Sequence, residues 1–270
     1  MNNVVVLDAC TIINLARIDE DEFIEEKLKK LCPYAIEKVM DEVRNRYVPS
    51  GKTSKQEIHI VPYWGGICLF ANNDVLEQLE FAQSFLNYKK LNGELYSAAL
   101  SLYLSRVENE KVLFYTDDNP ACKTFKSFFD FQQIGYIGDS VDLLLFLYWL
   151  SPADKFSQEE LKKYLTSLRR EYIVKFREVI KAIDNYASAL KSSKKNEKKK
   201  FELKGLSYRL QSASSLSDEI NKCSRFFEND KSEMGKAIKK ALGEITVIPQ
   251  IVTKIGTTLQ HINKFGVYKV

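Results

Sequence analysis

The sequence predicts an α/β fold, a helix-covered parallel sheet followed by an all-helical C-terminal region. Three observations carry that expectation. Apolar runs near residues 3–7, 112–116 and 133–137 alternate with longer segments of helical period, as in parallel strands joined by helices. The run Val4-Val5-Val6-Leu7 has no polar alternation, the pattern of a strand buried on both faces. Beyond Ser157 the apolar residues recur at spacings of three and four, with no strand-like run among them.

Taken in order, the first strand runs straight into Asp8, and a helix over about 10–18 carries Thr11 and Asn14 on its first turns. Asp8 reads either as the cap of that helix or as a site carboxylate at the carboxyl end of a strand, where open α/β sheets bind ligands. Helices are expected near 20–31 and 33–47, the latter with Ile36, Val39, Met40 and Val43 on one stripe and Glu42 flanking it more closely than Asp41. Segment 48–70, with Pro49, Gly51, Pro62, Gly65 and Gly66, reads as a substrate-facing loop or a small strand pair. Further helices are expected near 73–89, 93–108, 119–130 and 140–150. Asn92 and Gly93 open the second of these, which sets Glu94 on its first turn and the small Ser97, Ala98 and Ala99 on the next. The strand VLFYT ends in Asp117 and Asp118, the same topological position as Asp8, so the two strand ends can lie side by side. Asp139 reads as a fifth acid or as the cap of VDLLLFLYWL, a segment too short to span a membrane.

A domain boundary is expected at Ser151 and Pro152, dividing 1–150 from 151–270. Charge divides there too. Residues 1–150 hold 15 basic and 22 acidic side chains, a net −7; residues 151–270 hold 25 and 14, a net +11. Ser157 and Glu160 form a capping-box signature ahead of a long helical seam from Leu161 to Leu190, read as one arm of a helical hairpin. The run from Lys191 to Lys200, six lysines, would be its turn or a frayed extension, followed by a returning segment, a helix near 231–246 and a break at Pro249. Such a run is a solvated surface or, beside an acidic site that handles a polyanion, a nucleic-acid contact through Lys194, Lys195, Lys198, Lys199 and Lys200. The apolar seams equally suit a protein partner, either a second copy or an inhibitor.

Five scattered cysteines without a CxxC pair, and an opening apolar run too short for a signal peptide, point to a reduced cytoplasmic protein without a disulfide frame. His59 and His261 lie in no recognisable catalytic setting. Carboxylates gathered without a nearby base either share protons or take up a divalent cation, and oxygen-only ligands favour Mg²⁺ or Mn²⁺ over zinc.

The order of these parts resembles a PIN-domain nuclease: VVVLDACTIINLARI, a helix-borne Glu42, GELYSAALSL, and a strand ending TDD. The similarity is greatest to the prokaryotic branch that includes toxin nucleases, and it covers about residues 1–150. It implies a metal-binding, catalytic set of Asp8, Glu42, Glu94 and Asp118, with Asp117 as the alternative to Asp118. Adjacent strand residues point to opposite faces, so the two do not play equal roles. Thr11, Asn14 and Thr116 match auxiliary positions. The resemblance further implies a Mg²⁺- or Mn²⁺-dependent endoribonuclease that leaves a 5′-phosphate and a 3′-hydroxyl, acting as a toxin, an anti-phage effector or an RNA-processing enzyme. The alternative is a PIN-like scaffold that binds RNA or protein without cutting. A haloacid-dehalogenase-like phosphatase also begins with a strand ending in Asp, but it needs a second Asp where this chain has Cys10.

Overall fold

The computed structural model describes residues 3–19, 21–47, 66–152, 154–191, 194–212, 216–246 and 248–267. Five parallel strands form one sheet: β1 (Asn3–Leu7), β2 (Tyr34–Ile36), β3 (Cys68–Phe70), β4 (Lys111–Tyr115) and β5 (Gly135–Gly138), in the order β3-β2-β1-β4-β5. The register pairs Val4 with Val112 and Leu7 with Tyr115. The chain lays down β1, β2 and β3 outward on one side and then returns to place β4 on the other side of β1. That reversal lies between β1 and β4, and the carboxyl end of such a switch point is where open sheets take ligands. Asp8 N–H donates to Tyr115 O at 3.1 Å there, which holds the two strand ends together.

The helices follow from the same patterning. They are α1 (Ala9–Ile18), α2 (Phe23–Lys29), α3 (Glu37–Tyr47), α4 (Leu76–Leu86), α5 (Gly93–Arg106), α6 (Asn119–Gln132) and α7 (Ser140–Leu150). Val5, Val6, Leu7, Ile12, Leu15, Val112 and Phe114 are buried at the centre of the core. Helix α5 packs on β1, β2 and β4, and its buried Ser97, Ala98 and Ser101 permit the close approach; Ser101 satisfies its hydroxyl on Ser97 O at 2.7 Å. One strand escaped the sequence reading, and another lies in the segment read as a loop or a small strand pair. Tyr34–Ile36 runs into the helical stripe that begins at Ile36, so the expected 33–47 helix starts at Glu37, and Cys68–Phe70 closes the segment 48–70. The remainder of that segment, with His59, lies outside the described residues.

Two compact units emerge, Met1–Leu168 with Leu259–Val270, and Arg169–Thr258. The first therefore reaches past Leu150 into α8 (Gln158–Ala189): Phe156 packs edge-on against Phe23 at 5.0 Å, and Tyr164 donates its hydroxyl to Asp21 at 2.7 Å. The capping box at Ser157 forms, with Glu160 N–H on Ser157 Oγ at 3.2 Å and Ser157 N–H on Glu160 Oε2 at 2.6 Å. The second unit is a helical cluster; a basic helical domain or a helical hairpin was expected over 151–270. The rest of α8 is joined by α9 (Lys194–Ser212), α10 (Leu216–Phe226), α11 (Glu233–Glu244) and the start of α12 (Ile248–Phe265). Pro249 falls in the first turn of α12, where its missing N–H costs no helical bond. Among the described residues no helix is long and apolar enough to cross a membrane.

Candidate functional site

Asp8 follows β1 directly and is buried as the N-terminal cap residue of α1, yet its side chain caps nothing. Its Oδ2 accepts instead from Thr116 Oγ1 at 2.9 Å and Cys10 Sγ at 3.0 Å. Its Oδ1 is buried with no hydrogen-bond partner. Burial pushes the Asp8 carboxyl up, the Cys10, Thr116 and Ala9 hydrogen bonds oppose this, and the Glu42 charge adds to it; the net shift is upward. An orphaned buried carboxylate oxygen is costly without a compensating group.

The other three acids arrive from three further elements. Glu42 leans inward from α3 while Asp41 stays exposed beside Arg44, and Glu42 Oε1 accepts from Gly93 N–H at 2.7 Å. That contact is close: a Cβ on Gly93 would lie 2.8 Å from Glu42 Oε2. Glu94, half-buried on the first turn of α5, accepts from Tyr88 Oη at 3.4 Å and from Asn92 Nδ2. Burial, then the charges of Asp8 and Asp118, push its carboxyl up to about 8, with a hydrogen bond to Asp118 and the Glu42 charge adding to the rise. Asp118 caps α6, accepting from Ala121 N–H at 3.0 Å, while its own N–H donates to Thr116 Oγ1 at 3.1 Å. Thr116 thus ties Asp8 and Asp118 together through one hydroxyl.

Asp117 faces elsewhere. It accepts from Asn14 Nδ2 at 2.5 Å, Ser140 N–H at 2.8 Å and Ser140 Oγ at 2.6 Å, so it joins α1, β4 and α7. Asn14 accordingly serves Asp117. Thr11 Oγ1 donates to Tyr115 O at 3.1 Å and seats α1 on β4 without reaching an acid. Asp139 is a cap, accepting from Val141 N–H at 2.9 Å and Asp142 N–H at 3.1 Å.

Four participants carry no catalytic signal in the sequence: Cys10, Tyr88, Asn92 and Ser140. Cys10 stands among Asp8, Thr116 and Asp117, accepting from Asp117 N–H at 3.2 Å. Burial, then the Asp8 and Asp117 charges, push its thiol far up, so it stays protonated and acts as a donor. The lysines lie in the other unit. Lys199 donates to Asp230 Oδ2 and Tyr186 Oη, each at 2.8 Å; Lys200 pairs with Glu197 at 3.1 Å; Lys198 is exposed. The side chains of Lys194 and Lys195 lie outside the described residues.

Among the described residues, no group of three or more His, Cys, Asp or Glu side chains is placed so that it could hold a metal ion. The donor chemistry nonetheless suits a hard divalent cation: carboxylate oxygens predominate, Asp8 Oδ1 has no hydrogen bond, and neighbouring acids push the Asp8 and Glu94 carboxyls up. Set against family models, curated proteins and solved structures, the chain matches none.

Proposed function

We propose that the chain is a PIN-like, Mg²⁺- or Mn²⁺-dependent endoribonuclease. One observation carries this reading: Asp8, Glu42, Glu94 and Asp118 gather at the carboxyl edge of the β1–β4 switch point, and Asp8 Oδ1 is buried there without a hydrogen bond. These four residues would hold the cation. When bound, it supplies stabilisation of phosphodiester charge and a more acidic attacking water.

The chain's own residues prepare that chemistry. Cys10 and Thr116 occupy Asp8 Oδ2 and so leave Oδ1 as the available oxygen. Tyr88 and Asn92 hold Glu94 at the mouth of α5, and the Gly93 N–H fixes Glu42. With its carboxyl near 8, Glu94 holds a proton at neutral pH and releases it when a positive charge arrives. The preference for RNA rests on the resemblance of the motifs, as does the assignment to a toxin or anti-phage setting. The alternative, a scaffold that binds RNA or protein without cutting, is favoured by the lack of a ready-made three-carboxylate shell among the described residues.

Cleavage of total RNA, with and without Mg²⁺ or Mn²⁺, separates the two. Wild type should cut only with the cation and leave 5′-phosphate ends. Asp8→Asn should reduce cleavage below detection while raising stability by about 0.5–2 kcal/mol, since one member of a repelling set is removed. Full activity of Asp8→Asn, or of wild type in excess EDTA, would rule the mechanism out.

A further inference from the structure

Cys32 and Cys68 are far apart in the sequence and side by side in the fold. Cys32 closes the turn after α2, with its N–H on Lys29 O at 3.2 Å and its Sγ donating to the same oxygen at 3.7 Å. Its φ of 43° turns the chain before β2 begins. Cys68 opens β3, where its N–H donates to Pro33 O at 2.7 Å and it pairs in register with Tyr34. The approach to β3 packs on the same turn, since a Cβ on Gly66 would meet Lys29 Cγ at 2.5 Å. The two thiols meet across this junction. Burial, then Cys32 beside it, push the Cys68 thiol up, with a hydrogen bond between the two adding to the rise. The Tyr34 hydroxyl stands near both: burial, then Cys68 and Cys32, push it up as well.

Both thiols are exposed. A pair of this kind can hold a soft metal or join as a disulfide. Structural zinc takes four ligands, and among the described residues no third His, Cys, Asp or Glu completes a group that could hold a metal ion. Oxidation needs only the pair, because sulfurs already within hydrogen-bonding reach come to bonding distance by side-chain rotation. The other cysteines are committed elsewhere. Cys10 donates to Asp8, Cys122 donates to Thr116 O at 3.5 Å, and Cys223 is buried in the second unit.

We propose that Cys32 and Cys68 form a redox-sensitive dithiol that closes to a disulfide under hydrogen peroxide and reopens under a small thiol. One thiolate attacks a peroxide oxygen, the O–O bond breaks with loss of hydroxide, and a sulfenic acid remains. The neighbouring sulfur then attacks that sulfenic sulfur, forms the S–S bond and expels the second oxygen. The two thiol protons end on two waters, so two thiols are oxidised as one peroxide is reduced. The bond fastens β3, a three-residue edge strand, to the turn before β2, and it closes the loop 33–67 that includes α3 and Glu42. Exposure of both sulfurs keeps it open to reduction by thiol exchange. The proposal stands independently of the nuclease reading.

Peroxide treatment of the full chain, followed by maleimide alkylation in denaturant and mass spectrometry of the digest, tests the pair. Reduced wild type should take five maleimides, one for each cysteine. Oxidised wild type should take two fewer, with Cys32 and Cys68 joined in one cross-linked peptide, and excess reduced glutathione should restore the full number. The cross-link should form at least about tenfold faster in the folded chain than in urea, because the fold supplies the proximity. Cys32→Ser and Cys68→Ser should each abolish it, and circular dichroism checks that these exposed positions leave the fold intact. Full alkylation after peroxide, sulfinic acid at either cysteine without the cross-link, a bond joining two chains, equal rates in urea, or a bond that glutathione opens only in urea would each overturn the proposal.

Discussion

Two buried carboxylates, one in each unit, meet opposite treatment. Asp230 in the second unit accepts from Lys199, from Tyr186 Oη at 2.5 Å, and from Ser232 N–H and Oγ at 2.9 and 2.6 Å. Burial pushes its carboxyl up, but the Lys199, Ser232 and Tyr186 hydrogen bonds more than reverse this and hold it well below the usual carboxylate range. Asp8 in the first unit has one hydroxyl and one thiol donor on one oxygen, none on the other, and further acids as neighbours. The chain can satisfy a buried carboxylate when the purpose is cohesion, and at the β1–β4 edge it does not. Perturbed acids held beside one another, with no cation among their hydrogen-bond partners, mark a candidate site.

The contrast is sharpest within one dipeptide. Asp118→Asn should cut cleavage by roughly a hundredfold or more and barely change stability, because Asn caps α6 as well as Asp does. Asp117→Asn should instead cost about 1.5–3 kcal/mol, since an amide cannot accept from Asn14 and Ser140 as a carboxylate does. Denaturant titration beside a cleavage assay reads both, and equal loss of activity at equal stability would erase the distinction.

The sequence separated the two acids by strand alternation, yet β4 ends at Tyr115 and both lie beyond it, where their different partners divide them; the acidic strand ends, the α3 stripe behind Glu42 and the opening of α5 at Asn92-Gly93 were legible for local reasons. The Tyr34–Ile36 strand was not, because three residues are too few to show a period and Ile36 also begins a helical stripe. Lysine counting leaves the contacts of Lys199 unread for another reason. A charge pattern records what a side chain carries and not what it meets, and the partner of Lys199 is 31 residues away. Ser140 was hidden likewise, since its bond to Asp117 spans 23 residues and exists only once α7 packs on the end of β4.

Lys199 provides the second test. Lys199→Ala should destabilise the second unit by about 1–3 kcal/mol, whereas Lys198→Gln, at an exposed position, should stay within about 0.5 kcal/mol. Chemical denaturation followed by helix content measures both, and equal effects would mean that the Asp230 cluster contributes no cohesion.

The smallest effect is one of sign. The Glu94 carboxyl sits at about 8 in the fold against an ordinary 4.5, so the folded chain binds more protons than the unfolded one between those values. Stability contributed by the protonated form is therefore lost as pH rises through that window, and Asp8 acts in the same direction. Asp230 acts in the opposite sense, its contribution being lost as pH falls below the ordinary carboxylate range. In EDTA, melting temperature should decline from pH 5 to 8, and Glu94→Gln should flatten the decline by on the order of 1 kcal/mol, a figure reduced for the solvent reaching a half-buried group. Mg²⁺ or Mn²⁺ at pH 8 should restore the loss. A decline identical in Glu94→Gln would place the proton elsewhere.

Gly93 has no functional group, yet the site depends on its lacking one. Any side chain there meets the Glu42 carboxylate, the movable end of a flexible side chain, so the backbone survives and the carboxylate is displaced. A single methyl group at this position would leave all four acids in the sequence and the sheet intact while moving the Glu42 carboxylate away from the Gly93 N–H. A chemically mute residue thus sets where a carboxylate stands.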